Sequence, residues 1–398
     1  MTVIADAAPA RHAQTRPDRL RVRVVRTVAE ASEAWDALAR TGSGSAYQSR
    51  LFLEPWLAHV APAANIAPRI GLVEDGDGRA IAVLPFGLAR HGPLRALVYL
   101  GGRDSNLNMP LVDPDVAIDQ AEASALLRNM ARSMSPSPDL FLLANQPRNW
   151  NGVRNPFALE KSAPSPSAAF GANFDGDAAA FLAAHESRDA RKKLRSKATR
   201  LASLGAVAFE RASPVSASEI VAAFVAQKDA RLARRGIAPP FDTDNMRAFF
   251  RSLAAPASGT PALEFYILRV GDTIAAIFGG LPYGTHWHGL INSYADDPAI
   301  ARCSPGDLLL RDTLADLGTR GFQSFDLGIG EARYKAALCD RTIDLVDTIV
   351  PVTLGGRMMA GAATLRLVAK RWIKQTPTAM KTVQSVRGAL TNARKRRP

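Results

Sequence analysis

Between residues 263 and 335 the apolar pattern changes its period more than once, and that order limits the fold more than any other feature of the chain. Three strand-like runs come first, at 263–270, 273–281 and 285–293. Gly271-Asp272 joins the first two and suits a tight hairpin turn. A helix-start signal follows. Ser304 stands at the cap position, Pro305 at the first helical position and Asp307 three residues after the serine, which resembles a capping box. Leu308, Leu309, Leu310, Thr313, Leu314 and Leu317 then recur at roughly helical spacing until Gly318 and Gly321, and 323–327 reads as a short buried strand. A strand whose exit loop opens a helix N-terminus suits a phosphate-bearing ligand, because backbone N–H groups and the helix dipole both point at the anion. Gly306 lets such a ligand approach the backbone closely.

Similar signals occupy the first half. Residues 20–28, 69–74, 80–88, 94–100 and 139–144 are strand-like, with helices expected at 30–39, 46–60 and 120–134. Asp75-Gly76-Asp77-Gly78 marks a hairpin. Gly101, Gly102, Asp104, Asn106, Asn108 and Pro110 form a polar loop, either a surface turn or a substrate-lining loop where the halves meet. At 398 residues, two units fit the length. The expected divisions are a disordered 1–20, a first unit 21–170, a second 171–354 and a basic tail 355–398.

Charge is concentrated. Residues 355–398 hold eleven Lys and Arg and no acid, so of a formal +13 only +2 remains for the rest. Leu365, Leu367, Val368, Trp372 and Ile373 alternate there with Arg366, Lys370, Arg371 and Lys374, and Arg394-Lys395-Arg396-Arg397 closes the chain beyond Pro377. A basic amphipathic helix with a tryptophan reads as an element for an anionic membrane surface; the other reading is a solubilising tail. A second basic run, 188–200, has seven cations against one acid, and Arg191 and Arg195 are candidates to meet an anionic substrate or a phosphate. No apolar run is long enough for a transmembrane helix, and Cys303 and Cys339 make no disulfide framework, so cytoplasmic residence is the default. No metal-ligand spacing, Ser-His-Asp triad, Walker loop or dinucleotide fingerprint occurs.

The order of elements resembles the GNAT N-acyltransferase fold. Three motifs resemble, more closely, its branch associated with cellulose and exopolysaccharide synthesis. They are Ser304-Pro305-Gly306 followed by leucines, Phe325-Asp326-Leu327-Gly328, and Gly330-Glu331-Ala332-Arg333-Tyr334-Lys335. The resemblance implies two GNAT-like α/β halves with mixed, largely antiparallel sheets packed around a cleft. It also implies acetyl-CoA or another acyl-CoA as donor, its pyrophosphate held by the loop before the helix. The family loop reads Gln/Arg-x-x-Gly-x-Gly/Ala; here Ser304 takes the middle glycine and Arg302 stands one place out of register. Ser293, Arg302, Cys303, Ser304, Gly306 and Asp307 are therefore the expected cofactor contacts.

Amine acylation needs a base for the ammonium proton and an acid for the leaving thiolate. The resemblance makes Tyr334 the acid candidate. His288 shares a strand face with His286 and is one base candidate; Asp326 and Glu331 are others, and Lys335 is a substrate contact. Three functions stay open. The first is an acyl-CoA-dependent N-acyltransferase acting on an amino sugar, polysaccharide precursor or other small amine. The second is an aminoacyl-tRNA-dependent transferase. The third is a non-catalytic scaffold at the membrane.

Overall fold

The computed structural model describes residues 19–40, 44–234, 243–256 and 259–376. The disordered segment expected at 1–20, apart from its last two residues, and the tail from Pro377 through Pro398 lie outside the described residues.

The first half opens with β1 (Arg21–Val25), α1 (Ser32–Arg40) and α2 (Arg50–His59). Trp35 and Leu38 bury one side of α1, and Phe52, Leu53 and Trp56 one side of α2. The helix expected over 46–60 is divided: residues 46–48 make a tight turn capped by Ser45, and Ser49 caps α2. Strands β2 (Ile66–Pro68), β3 (Ile70–Glu74), β4 (Ala80–Leu84), β5 (Phe86–His91), β6 (Leu94–Tyr99) and β7 (Leu111–Val112) follow. Helix α3 (Gln120–Ser133) starts on a full capping box between Asp119 and Glu122. Then come β8 (Leu140–Pro147), the small hairpin β9 (Asn149–Trp150) and β10 (Val153–Arg154), and β11 (Ala163–Pro164).

The second half contains β12 (Ala169–Asn173), α4 (Ala178–His185), α5 (Arg188–Ala202), β13 (Val207–Arg211), α6 (Ala217–Arg234) and α7 (Asp244–Ala254). The meander β14 (Glu264–Val270), β15 (Thr273–Tyr283) and β16 (His286–Tyr294) leads to α8 (Pro298–Ala301), α9 (Pro305–Thr319) and β17 (Ser324–Ile329). Last come α10 (Arg333–Leu338), β18 (Arg341–Ile343), β19 (Leu345–Pro351) and α11 (Leu354–Gln375).

The sheets are mixed and largely antiparallel, in the orders β1-β3-β4-β7, β11-β19-β8-β6-β5-β2 and β13-β14-β15-β16-β17-β12-β18. Both halves follow one plan: a strand, two helices, a meander, a helix, and a strand returning parallel to the last meander strand. The halves also exchange strands. Strand β12 straddles the division expected at residue 170 and pairs with β17 and β18, while β19 crosses back to pair with β8. Nor is 355–375 a detached tail, because α11 packs on β19 and β8. One apolar core runs through both halves, joining Trp35, Phe52 and Trp56 to Phe224, Phe249 and Phe250.

Candidate active site

Strands β16 and β17 pair at His286–Ser324, Trp287–Phe325 and His288–Asp326, and then part. The cause lies in β16. Gly280 faces Gly289 but Gly279 faces Ile291, so Leu290 is an extra residue. A bulge of this kind bends the strand away from its neighbour. Gly328, at φ 71°, turns β17 where Asn106 Nδ2 of the first half would stand 2.5 Å from an added Cβ, so glycine answers both the conformation and the space. The result is a cleft between two diverging strands.

The N-terminus of α9 follows the cleft, but Ser304 does not cap it as expected. Its side chain makes no cap hydrogen bond, so no capping box forms; its backbone is left-handed, at φ 50° and ψ 55°. That conformation favours glycine, the residue the family loop carries at this place, so the loop keeps its shape with serine at a cost of about 1–2 kcal/mol. The freed hydroxyl accepts a hydrogen bond from Lys197 Nζ of α5 at 2.7 Å. Gly306 has nothing within 4 Å of a would-be Cβ, so its backbone faces open space. Arg302 is exposed in the same loop.

Two expected cofactor contacts are corrected. Cys303 is buried in the core, with its N–H on Ile300 O and its Sγ on Ala299 O, so neither group is left for a ligand. The Ser293 hydroxyl is spent on Gln227 at 2.7 Å, which ties α6 to the sheet. Arg191 and Arg195 are exposed on α5, and Arg195 is turned about 200° around the helix from Lys197. Lys197 is thus the cation of that run which reaches the loop, a choice its sequence spacing did not reveal.

Inside the cleft, Tyr334 on α10 accepts a hydrogen bond from Asn292 Nδ2 at 2.8 Å, which leaves its own O–H free to donate. Burial pushes its pKa above the ordinary 10, so it stays protonated at neutral pH. Tyr334 and Leu308 of the first turn of α9 pack against the same apolar cluster. Lys228 of α6 donates to Asn292 Oδ1 at 3.4 Å, and burial lowers its pKa to about 8. Lys335 donates to the carbonyls of Gly328 and Ile329, both at 3.0 Å, and burial lowers it likewise to about 8. Lys335 therefore pins the β17 turn; its donors are used on backbone. Glu331 is exposed on that turn. Nothing in the local pattern of α6 marked Lys228, and Asn292 lay unremarked in a strand.

Asp326 is fully buried at the apex of the cleft. Its Oδ2 accepts from His286 Nε2 at 3.0 Å and His288 Nδ1 at 2.5 Å, and its Oδ1 from the Gly328 N–H at 2.8 Å. Burial alone would raise the carboxyl, yet the two imidazoles hold it below the ordinary range, so Asp326 is an anchored anion and a poor base, contrary to expectation. His286 is lowered to about 4, chiefly by burial, and its Nδ1 meets the Ser324 hydroxyl at 2.6 Å. With Nδ1–H bound to Asp326, His288 keeps a lone pair on Nε2, which has no partner. Trp150 of the small hairpin stacks over His288 at 5.5 Å and Tyr47 meets it edge-on at 5.4 Å.

Among the described residues, His286, His288 and Asp326 are the group whose donor atoms come close enough to share a cation. A cation bound at about 2.1 Å to both His288 Nδ1 and Asp326 Oδ2 would subtend only about 73° at their 2.5 Å separation, far below tetrahedral. The cluster fits hydrogen bonds better than a metal.

A parallel strand pair that parts in front of a helix N-terminus, with an acid group in the cleft, defines a GNAT-type transferase. Residues 188–336 match the family model described as Acetyltransferase (GNAT) domain. Among solved structures, FemX is similar over 85% of this chain and 99% of its own, at 10% identity and TM-score 0.58. A conserved protein of unknown function from Bacteroides thetaiotaomicron is similar over 84% of this chain and 100% of its own, at 11% identity and TM-score 0.52. At these identities the likeness shows the fold, which extends over both halves. No curated protein matches the chain.

Proposed function

We propose that this chain transfers an acyl group, with acetyl as the expected case, from CoA to an amine. One observation carries the reading: the β16–β17 cleft opens on the α9 N-terminus, where Ser304 keeps a glycine-like backbone, Gly306 faces open space and Lys197 adds a cation. The first turn of α9 would hold the pyrophosphate, and the pantetheine arm would lie between the parted strands. The amine attacks the thioester carbonyl, and the tetrahedral intermediate collapses with loss of the thiolate. Tyr334, protonated and free to donate, supplies the proton to that sulfur and is reprotonated by the proton the new amide nitrogen sheds. His288 Nε2, which has no other partner, takes the ammonium proton, and Asp326 holds the ring in the required tautomer.

The three motifs shared with the polysaccharide-associated branch support an amino sugar or a polysaccharide precursor as acceptor. The experiment is mass spectrometry of amines incubated with the protein and a panel of acyl-CoA species. Acylated product from the parent and little from Tyr334→Phe supports the reading; no product from any pair refutes it and favours the scaffold. One observation favours a second reading. Arg188, Arg191, Lys192, Lys193, Arg195 and Arg200 stay exposed on α5. Tight tRNA binding that weakens steeply with salt would move aminoacyl transfer to first place.

A further inference from the structure

A cavity of about 950 Å³ lies in the first half, on a different sheet from the CoA cleft but built on the same plan. Strands β6 and β8 run parallel, pair at Ala96–Leu140 and Leu97–Phe141, and then part. The cavity fills the gap, walled by Val98, Leu142, Leu143, Ile349, Met359 and Leu367. Its size is that of a ligand pocket. Helix α11 roofs it and is held at both ends. At the start, Thr353 Oγ1 donates to Asp139 Oδ1 at 2.8 Å, and Gly356 packs so closely on Asp139 O that any side chain would collide. At the far end, Lys374 Nζ donates to Ser167. Between these points the helix bridges the cavity.

The polar groups around the cavity sort by depth. Asp347 is buried in its wall, with Oδ1 accepting from the Asn145 N–H at 2.9 Å and from the Ser165 hydroxyl, and Asp104 is half-buried. Arg90, Arg103, Arg366 and Lys370 are exposed, so they form the rim. Inner carboxylates suit an ammonium, rim cations suit a phosphate, and the walls suit an aliphatic chain. One loop borders both the cavity and the transfer site. Asn108 lines it, while Asn106, two residues and at most about 7 Å of chain away, donates to Gly289 O at the β16–β17 divergence.

The outer side of α11 shows where such a molecule would come from. Leu354, Met358, Leu365, Val368 and Trp372 are 60–80% exposed and recur at three-, four- and seven-residue steps, opposite the cavity. Arg357 and Arg371 border them, Arg366 and Lys370 lie round the helix at the cavity rim, and no acid follows Asp347 in the sequence. An apolar stripe edged only by cations is complementary to an anionic lipid surface.

We propose that the cavity beneath α11 is the acceptor site, and that the acceptor is a lipid-linked amine drawn from an anionic bilayer on which α11 rests. Such a molecule bears an amino group, a phosphate and an aliphatic chain. Its acylation rests on the transferase reading; its binding does not. Two sources share this chemistry, an aminophospholipid and an amino sugar on an isoprenoid phosphate.

Titration calorimetry on the full chain tests the proposal. The probes are lysophosphatidylethanolamine and farnesyl-phosphoryl glucosamine below their micelle concentrations, with lysophosphatidylglycerol as the amine-free control. One of the two amines should bind, and which one identifies the source. Ala363→Trp, which fills the cavity from the roof, should weaken that binding at least tenfold. Asp347→Asn should bring it level with the amine-free control. Neither change should alter acetyl-CoA affinity. If neither amine binds, or both variants bind as the parent does, the acceptor site is wrong. If the amine binds and acetyl-CoA does not, the transferase reading fails while the cavity assignment stands. The parent should also sediment with phosphatidylethanolamine–phosphatidylglycerol vesicles at low salt, and Leu365→Glu with Trp372→Glu should release it. A parent that ignores those vesicles overturns delivery from the bilayer.

Discussion

The two halves put one device to two uses. Each has a parallel strand pair that holds for two or three residues and then parts, followed by a different environment. In the second half the helix inserted between the parted strands, α9, begins with a left-handed Ser304, an open Gly306 and Lys197 nearby, a setting for an anion. In the first half the corresponding helix, α3, begins with Asp119 and Glu122 locked in a capping box, so two carboxylates occupy the place a phosphate would take. The strand gap there is roofed by α11 and lined with apolar side chains. A sheet that splits provides space; the residues at the next helix start and over the gap decide what fills it.

That contrast can be broken at several points. Gly306→Val should cost acetyl-CoA at least a hundredfold in affinity by calorimetry, because the new side chain enters the open space before α9 while meeting no protein atom. Unchanged affinity would move the cofactor elsewhere. Tyr334→Phe should lower kcat ten- to a thousandfold with KM for acyl-CoA little changed. A His288→Ala variant should lower kcat about a hundredfold; if it keeps full activity, Lys228→Met is the next to measure, since its ammonium also faces the cleft.

The cleft apex should show in stability too. His286 is held near 4 by burial, so the unfolded chain, titrating near 6.5, takes the proton first. Stability should therefore fall by about 3 kcal/mol as pH drops from 6.5 to 4, with Asp326 adding loss in the same direction below about 4. Melting temperatures of the parent and of His286→Gln across that range should diverge, the variant showing the shallower slope. The smallest effect belongs to the first half. Asp119→Ala should remove about 1 kcal/mol of stability, by loss of the cap, and leave acetyl-CoA affinity unchanged.

The sequence carried the meander, α9 and the returning strand because periodicity and turn residues are local signals. It carried the position of the phosphate loop but not its conformation. Ser304 looked like an N-cap, and only the tertiary contact with Lys197, 107 residues earlier, shows where its hydroxyl goes. Long separation also hid the strand exchange. Nothing local in residues 345–351 says that they pair with β8 of the other half. Tyr334 was legible from its motif, whereas Asn292 and Lys228 acquire meaning only when α6 packs beside β16. The basic helix was legible as amphipathic, but its inner face could not be read as the roof of a cavity until β19 had returned to the first sheet.

The central claim, that CoA occupies the second-half cleft and not its first-half counterpart, is open to one direct measurement. Hydrogen–deuterium exchange of the full chain, with and without saturating acetyl-CoA, should show new protection at residues 290–294 and 303–308 and no change at 98–99 and 142–145. Protection of the first-half gap with none at 303–308 would contradict the account.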